Sequence, residues 1–394
     1  MKIFEDVSLS AIIAGLVALV ATFSGPVLIV VGAAQAGGLS SSELSSWVWA
    51  LCFGAGVLSL WFSVRHRIPV IGAWSTPGVA LLTGSLANYS YPEVIGCYLF
   101  LAIIIGLLAW LGLFSAVMRR IPLTLLSAVI AGVLFNFCEK IFTAIGISPL
   151  LAIPIVVAYV LFRRIFPRYA IAIALLVGLL LAISNRQDGV ILPTITLVSP
   201  VFTSPAFNLN SLLSLGVPLT LLALSQYATG VAVLQREGFD VSSKKLVGGS
   251  AILSIPLALF GSSGINPAAI VGALCAGNEC HPDRTKRYVS GIVAGVGYIF
   301  LGLFSTYVVA IFTSLPSAVI AVLTGLALLS TLVGSLVSVV EKVDEREPAI
   351  VTFLVTASGV SYFSVSPALL GLALGMLYLF ALRFRYRVND GVTS

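Results

Sequence analysis

Charge is what this chain has least of. Only 9% of its 394 residues are Asp, Glu, Lys or Arg, against about 25% in a soluble domain. Apolar residues make up 59%, more than a water-soluble core could hide, so the chain reads as a polytopic membrane protein. Cysteine and histidine are scarce too. Cys52, Cys97, Cys138, Cys275 and Cys280 are scattered without paired spacing, which argues against a disulfide framework. Cys275 and Cys280 with His281 fall short of the four well-placed ligands that a structural metal site wants. No nucleophile–base pair stands out, which disfavours an enzyme, and no cofactor is expected. The net charge of +6 does not point to nucleic acid, because the basic residues sit at segment ends rather than in one patch. Their expected partner is the anionic lipid surface.

What is present is a series of apolar runs. A helix needs about 20 apolar residues to cross a bilayer. Fourteen segments are predicted: 8–35, 43–64, 68–87, 93–118, 121–140, 149–165, 169–185, 211–236, 243–260, 262–277, 287–313, 316–340, 348–363 and 367–383. Ala34-Gln35-Ala36 imitates a signal-peptide cleavage site, but the run from Leu9 to Val31 is too long for a signal core. With fourteen passes, all of the 21 Lys and Arg residues except Lys140 and Arg186 fall on one side. The positive-inside rule makes that side, and both termini, cytoplasmic.

The chain also repeats itself. Leu111-Gly112-Leu113-Phe114-Ser115 recurs as Leu301-Gly302-Leu303-Phe304-Ser305, and Ser127-Ala128-Val129-Ile130-Ala131 as Ser317-Ala318-Val319-Ile320-Ala321. Thr76-Pro77 and Asn266-Pro267 share the same offset of 190 residues. Seven passes per half is an odd number, so the second half enters the membrane upside down. The expected fold is an all-α membrane protein with a seven-plus-seven inverted repeat, joined outside by the linker 186–210. Such repeats place a transport site between the halves.

Segments 3 and 10 carry the functional signal. Pro69, Gly72 and Pro77 interrupt segment 3, and Thr76-Pro77 has the form of a helix start, an oxygen-bearing cap followed by proline. Asn266-Pro267 repeats it after Gly264-Ile265. Each segment is predicted as a short extended stretch followed by a half-helix. Eleven residues from Pro77 span about 16 Å, roughly half of the hydrocarbon core. Two helix N-termini facing one another near the midplane offer an anion site without Lys or Arg. Ordinary proline kinks would also interrupt these segments, but cap, proline, half-length and repeat offset all agree on a site. Segments 1 and 8 supply its walls, through Thr22-Phe23-Ser24-Gly25-Pro26 and through Gln226-Tyr227. Phe23 and Tyr227 are candidates to sandwich an aromatic ring, and Gln226 and Tyr227 to donate hydrogen bonds. The predicted binding set is Phe23, Ser24, Gly25, Ser75, Thr76, Gln226, Tyr227, Gly264, Ile265 and Asn266, with Trp74 a secondary candidate. No ionisable residue lies in the central part of any segment, so the ligand's own charge is expected to meet helix dipoles.

Ser75-Thr76-Pro77-Gly78, Gly264-Ile265-Asn266-Pro267 and the loop Gly277-Asn278-Glu279-Cys280-His281-Pro282-Asp283, with Arg284 after it, resemble the benzoate:proton symporter (BenE) family. The resemblance covers essentially the whole chain and extends to a larger group of uracil and xanthine symporters and sulfate permeases. It implies secondary active import of benzoate or a related aromatic carboxylate with protons, by alternating access, across a bacterial inner membrane. It also implies a core domain (1–118 and 211–313) moving against a gate domain (119–185 and 314–394), often in homodimers. Nucleobase symporters of the group place carboxylates on segments 8 and 10. Here Gln226, Tyr227 and Asn266 are neutral, which suits a carboxylate ligand that a Glu would repel. Glu139, Glu279, His281 and Asp283 are the candidates for proton coupling or gating, with a solvated-loop role as the alternative for Glu279 and Asp283. Competing readings are an inorganic-anion carrier of the sulfate type, a nucleobase transporter of the same fold, and an anion channel.

Overall fold

The structure, a computed structural model, describes residues 3–167, 169–184, 195–360 and 365–390. Lys2, Arg168, Arg186, positions 186–194 of the linker and the end of segment 13 lie outside the described residues. The first half runs α1 (Ile3–Asp6), α2 (Leu9–Ser24), α3 (Pro26–Ala36), α4 (Ser41–His66), β1 (Gly72–Trp74), α5 (Thr76–Ser85), α6 (Tyr91–Trp110), α7 (Phe114–Arg120), α8 (Leu123–Ile147), α9 (Pro149–Ile165) and α10 (Ala170–Ser184). The second half runs α11 (Leu209–Ser211), α12 (Val217–Arg236), α13 (Ser243–Ala258), β2 (Ile265–Pro267), α14 (Ile270–Ala276), α15 (Tyr288–Leu303), α16 (Ser305–Thr313), α17 (Ser317–Glu341), α18 (Arg346–Ala357) and α19 (Pro367–Asp390). A π-helical turn, Leu212–Gly216, joins α11 to α12.

Among the described residues, six stretches are long and apolar enough to cross a bilayer: Leu9–Ala36, Ser41–His66, Tyr91–Trp110, Leu123–Ile147, Leu209–Arg236 and Ser317–Glu341. The pair α15 and α16, bent by 71°, is a seventh if counted as one broken span. Local chemistry sets several starts. Ser40 and Glu43 form a capping box at α4, and the Glu93 carboxylate accepts from the Ser90 amide at α6 (2.9 Å).

Two predicted segments are not single helices. Segment 4 breaks after Trp110, where Gly112 takes φ +72°, a left-handed conformation that favours glycine. Segment 11 breaks at Phe304. The repeated Leu-Gly-Leu-Phe-Ser therefore marks a corner in both halves. Segment 1 is interrupted only at Gly25, which keeps helical angles (φ −81°, ψ −55°).

Packing sorts the helices into two groups. α4 lies along α15 and α13 along α6; separately, α8 lies along α17, with α18 and α19 against them and α9 beside α10. Ser127–Ala131 on α8 and Ser317–Ala321 on α17 thus fall on partner helices. The two strands are the exception to an all-helical chain. β1 and β2 pair antiparallel, with Gly72 opposite Pro267, Ala73 opposite Asn266 and Trp74 opposite Ile265. The pairing continues one step, as the Ala268 amide donates to the Ile71 carbonyl (2.8 Å).

Candidate functional site

The strand pair joins the two short helices of the fold. Each strand also meets a serine of the helix behind it: the Gly72 amide donates to Ser59 Oγ of α4 (2.7 Å), and the Ile265 amide to Ser254 Oγ of α13 (2.9 Å). Backbone donors inside a bilayer need such partners. Neither serine was singled out from the sequence: each lies only 13 or 11 residues before the strand residue it serves, but the folding of the helix back against that strand has no local signal.

Helix α5 starts one residue earlier than predicted. Ser75, not Thr76, is the cap, and its Oγ accepts from the Gly78 amide (3.1 Å). Pro77 has no N–H, and the Val79 amide bonds the Ser75 carbonyl (2.9 Å). The Thr76 amide and hydroxyl are left without a partner among the described residues. Ser75→Ala should cost about 1 kcal/mol, read as a lower melting temperature of the purified protein. Wild-type melting would show that the cap carries no weight.

Segment 10 departs further. Asn266 does not cap a helix: it lies in β2, 4% exposed, with its Nδ2 donating to the Pro267 carbonyl (3.3 Å). α14 begins only at Ile270, behind Ala269, and no side chain caps it. Its seven residues span about 10 Å. Backbone pairing of Ala73 with Asn266 therefore fills the place where two facing caps were expected. Gly264 precedes the strand at φ +96°, so only glycine turns the chain there without strain.

Tyr227 is fully buried, and its hydroxyl donates to the Ile265 carbonyl. It buttresses β2 rather than offering a free donor. Gln226, beside it, is half-buried. Phe23 is buried at 8% exposure and makes no ring contact with Tyr227. Gly25 lies against α17: a Cβ there would stand 2.6 Å from that of Ala327, so Gly25 permits a helix contact. Ser24 Oγ, Trp74 Nε1, Ser262 Oγ and Ser263 Oγ are buried without a hydrogen-bond partner among the described residues. Buried polar groups are normally paired, so these atoms carry unused hydrogen-bonding capacity. Trp74 was underweighted in the sequence. Its ring meets Tyr298 edge-on at 6.3 Å, and the Tyr298 hydroxyl donates to that of Thr22.

Two cavities flank the short helices. The first, about 550 Å³, lies beside α5 and is lined by Ala80, Leu81, Thr83, Phe137 and Lys140, among others. The second, about 560 Å³, lies beside α14, with Arg163, Ile171, Ile270, Val271 and Glu279 on its walls. Both volumes suit a small ligand. Neither cavity includes the strand residues.

The coupling candidates divide. Glu139 is exposed. Glu279 is exposed and lines the second cavity. Asp283 caps its own loop: the Thr285 hydroxyl and amide donate to its carboxylate and hold it below the usual range. The Asp283 amide in turn donates to His281 Nδ1 (2.9 Å). This loop folds over Arg287, which is 4% exposed. Arg287 donates to the carbonyls of Ala276 (2.6 Å) and His281 (2.8 Å) and to Asn278 Oδ1. A cation at the C-terminal end of α14 also suits the helix dipole. The sequence marked the loop but not the buried arginine that shapes it.

The fold is similar to that of solved transporter structures. The chain superposes on "The transmembrane domain of a cyanobacterium bicarbonate transporter BicA" with a TM-score of 0.62 at 13% identity, covering 93% of this chain and 97% of that one. On "The overall structure of SLC26A9" the TM-score is 0.63 at 13% identity, over 94% of this chain and 65% of that one. Sequence gives the family. The chain belongs to the benzoate membrane transport protein (BenE) family, whose model matches residues 5–381. It is 34% identical over 379 residues to "Benzoate membrane transport protein" of Acinetobacter baylyi, covering 96% of each chain. It is 33% identical over 385 residues to "Inner membrane protein YdcO" of Escherichia coli, covering 95% of this chain and 97% of that one. Membership sets it in a family of membrane transport proteins.

Proposed function

We propose that this protein is a multi-pass transporter of the bacterial inner membrane that imports benzoate, or a related aromatic carboxylate, with protons. Membership of the BenE family over residues 5–381 carries this reading. The site's chemistry supports it. The carboxylate sits beside the strand pair, at the Thr76 end of α5 and the Asn266 edge of β2, with Trp74 Nε1 and Ser24 Oγ as donors. Phe23 and Trp74 supply the apolar surface for the ring. No carboxylate stands among these residues to repel the anion.

The mechanism we propose is alternating access across fourteen passes in a seven-plus-seven inverted repeat. Every predicted segment contains a helix of the described structure. Exchanging the halves turns the contact of α4 with α15 into that of α13 with α6. It also relates the cavities: Ala80, Leu81, Thr83 and Gly84 line one, and Ile270, Val271, Ala273 and Leu274, 190 positions later, line the other. Two equivalent vestibules on opposite sides are what a moving core needs. α2–α6 and α12–α16 form that core, and α8–α10 with α17–α19 form the gate.

Uptake of labelled benzoate into proteoliposomes under an imposed proton gradient tests the reading. Gradient-dependent accumulation is expected, and its absence refutes symport. The likeness to the bicarbonate transporter favours one rival, an inorganic-anion carrier. Thermal stabilisation by benzoate but not by sulfate or bicarbonate separates the two.

A further inference from the structure

The two cavities are equivalent in position but not in charge. Among the described residues, the first has one charged residue on its wall, Lys140. The second has Arg163 and Glu279, which offset one another. Lys140 is exposed, and its ammonium lies 5.5 Å from the centroid of the Phe137 ring. No described carboxylate pairs with it. Its chain neighbour Glu139 does not line the cavity. Leu81, Val133 and Phe137, each at 9% exposure or less, give the wall an apolar part, and Ser85, Asn88, Asn210 and Ser366 give it a polar one. Thr83 Oγ1, on the same wall, is buried without a partner, and the Asn136 amide lines the rim.

A cation over an apolar floor, with amide and hydroxyl groups beside it, complements an ion that is charged at one end and flat and apolar at the other. We infer that this cavity is a capture site for the aromatic carboxylate, distinct from the site beside the strands. The carboxylate meets Lys140 and Asn136, and the ring lies on Leu81, Val133 and Phe137. The inference rests on the proposed function for its substrate and for placing Lys140 outside. Lys140 is on α8, in the gate, so it would receive the substrate without travelling with the core. The charge difference between the cavities then favours loading from the outer side, since a lone cation in a cleft concentrates anions there.

The test is initial-rate benzoate uptake by outward-oriented proteoliposomes at low ionic strength, comparing wild type with Lys140→Gln, Lys140→Glu and Lys140→Arg. Lys140 is exposed and caps nothing, so these variants should fold. In Lys140→Gln the KM should rise roughly fivefold, the scale of one charge pair, with the maximal rate unchanged. Lys140→Glu should raise it further and Lys140→Arg should restore it. The differences should fade at about 0.5 M salt, where screening is strong. KM values for the Gln and Glu variants within twofold of wild type, or a loss confined to the maximal rate, overturn the capture site alone. A wild-type protein that does not take up benzoate overturns the proposed function, and this site with it.

Discussion

Gly72→Ala should reduce benzoate uptake about a hundredfold, while Gly334→Ala leaves it unchanged. A Cβ at Gly72 would stand 2.3 Å from the Ala55 carbonyl oxygen, 2.7 Å from its Cα and 2.8 Å from its carbonyl carbon. All three are backbone atoms, so no side chain can swing aside. α4 cannot yield either, because α15 presses on its other side: a Cβ at Gly56 would meet the Gly295 carbonyl at 2.8 Å. The strand must move instead, by on the order of 1 Å in a close-packed interior. That strains the bond from the Gly72 amide to Ser59 and displaces Trp74 and Ser75, two and three residues along. Overpacking of this kind costs about 1–3 kcal/mol of stability, which a large membrane protein can survive. Displacing a binding group by about 1 Å can cost a hundredfold in rate. The expected variant is therefore folded and inactive. Gly230→Ala tests the same clamp from the other side, since its Cβ would stand 2.2 Å from the Pro267 carbonyl. Gly334 has nothing within 4 Å of a Cβ and serves as the control. Uptake rate per folded protein, with melting measured alongside, is the readout. A Gly72→Ala rate above half of wild type would show that the strand pair is not held against α4 as described.

Much of this scaffold was legible along the chain, and the parts that were not share a cause. Apolar runs placed helix in every predicted segment, because burial and lipid contact follow local composition. The interruption of segment 3 was readable from Pro69, Gly72 and Pro77, residues that break a helix whatever surrounds them. Segment 10 was misplaced by a few residues for a different reason. Asn266-Pro267 has the local grammar of a helix start, but the pairing of β2 with β1 and the bond from the Ala268 amide to Ile71 hold this stretch extended until Ile270. That pairing partner lies 190 or more residues away, where no local signal reaches. The corners at Gly112 and Phe304 were hidden because apolar residues flank both breaks. At the site, residue types announced a neutral, amide- and hydroxyl-rich wall. Which of them are spoken for, as Tyr227 is by Ile265, depends on contacts that only the folded chain makes.

Asn266→Asp should weaken benzoate binding on the order of a hundredfold. The substitution keeps the shape and changes the charge. Asn266 is 4% exposed, and its side-chain amide donates to the adjacent Pro267 carbonyl at 3.3 Å; Asp loses that donor and buries a carboxylate, a cost to the fold that the melting curves measure. What changes is the field beside the strand. Two unit charges about 6 Å apart, at an effective dielectric constant of about 20, repel by roughly 3 kcal/mol, about a hundredfold in affinity. Asn266→Ala, which removes a donor without adding charge, should lose less than tenfold. Equilibrium binding of labelled benzoate to purified protein measures both, with melting curves to show that each variant is folded. The order of the two effects carries the argument. A larger loss for Ala than for Asp would mean that Asn266 acts through packing. Unchanged affinity in Asp would move the anion away from β2 and into one of the two cavities, where Lys140 or Arg163, rather than a helix end, would have to hold it.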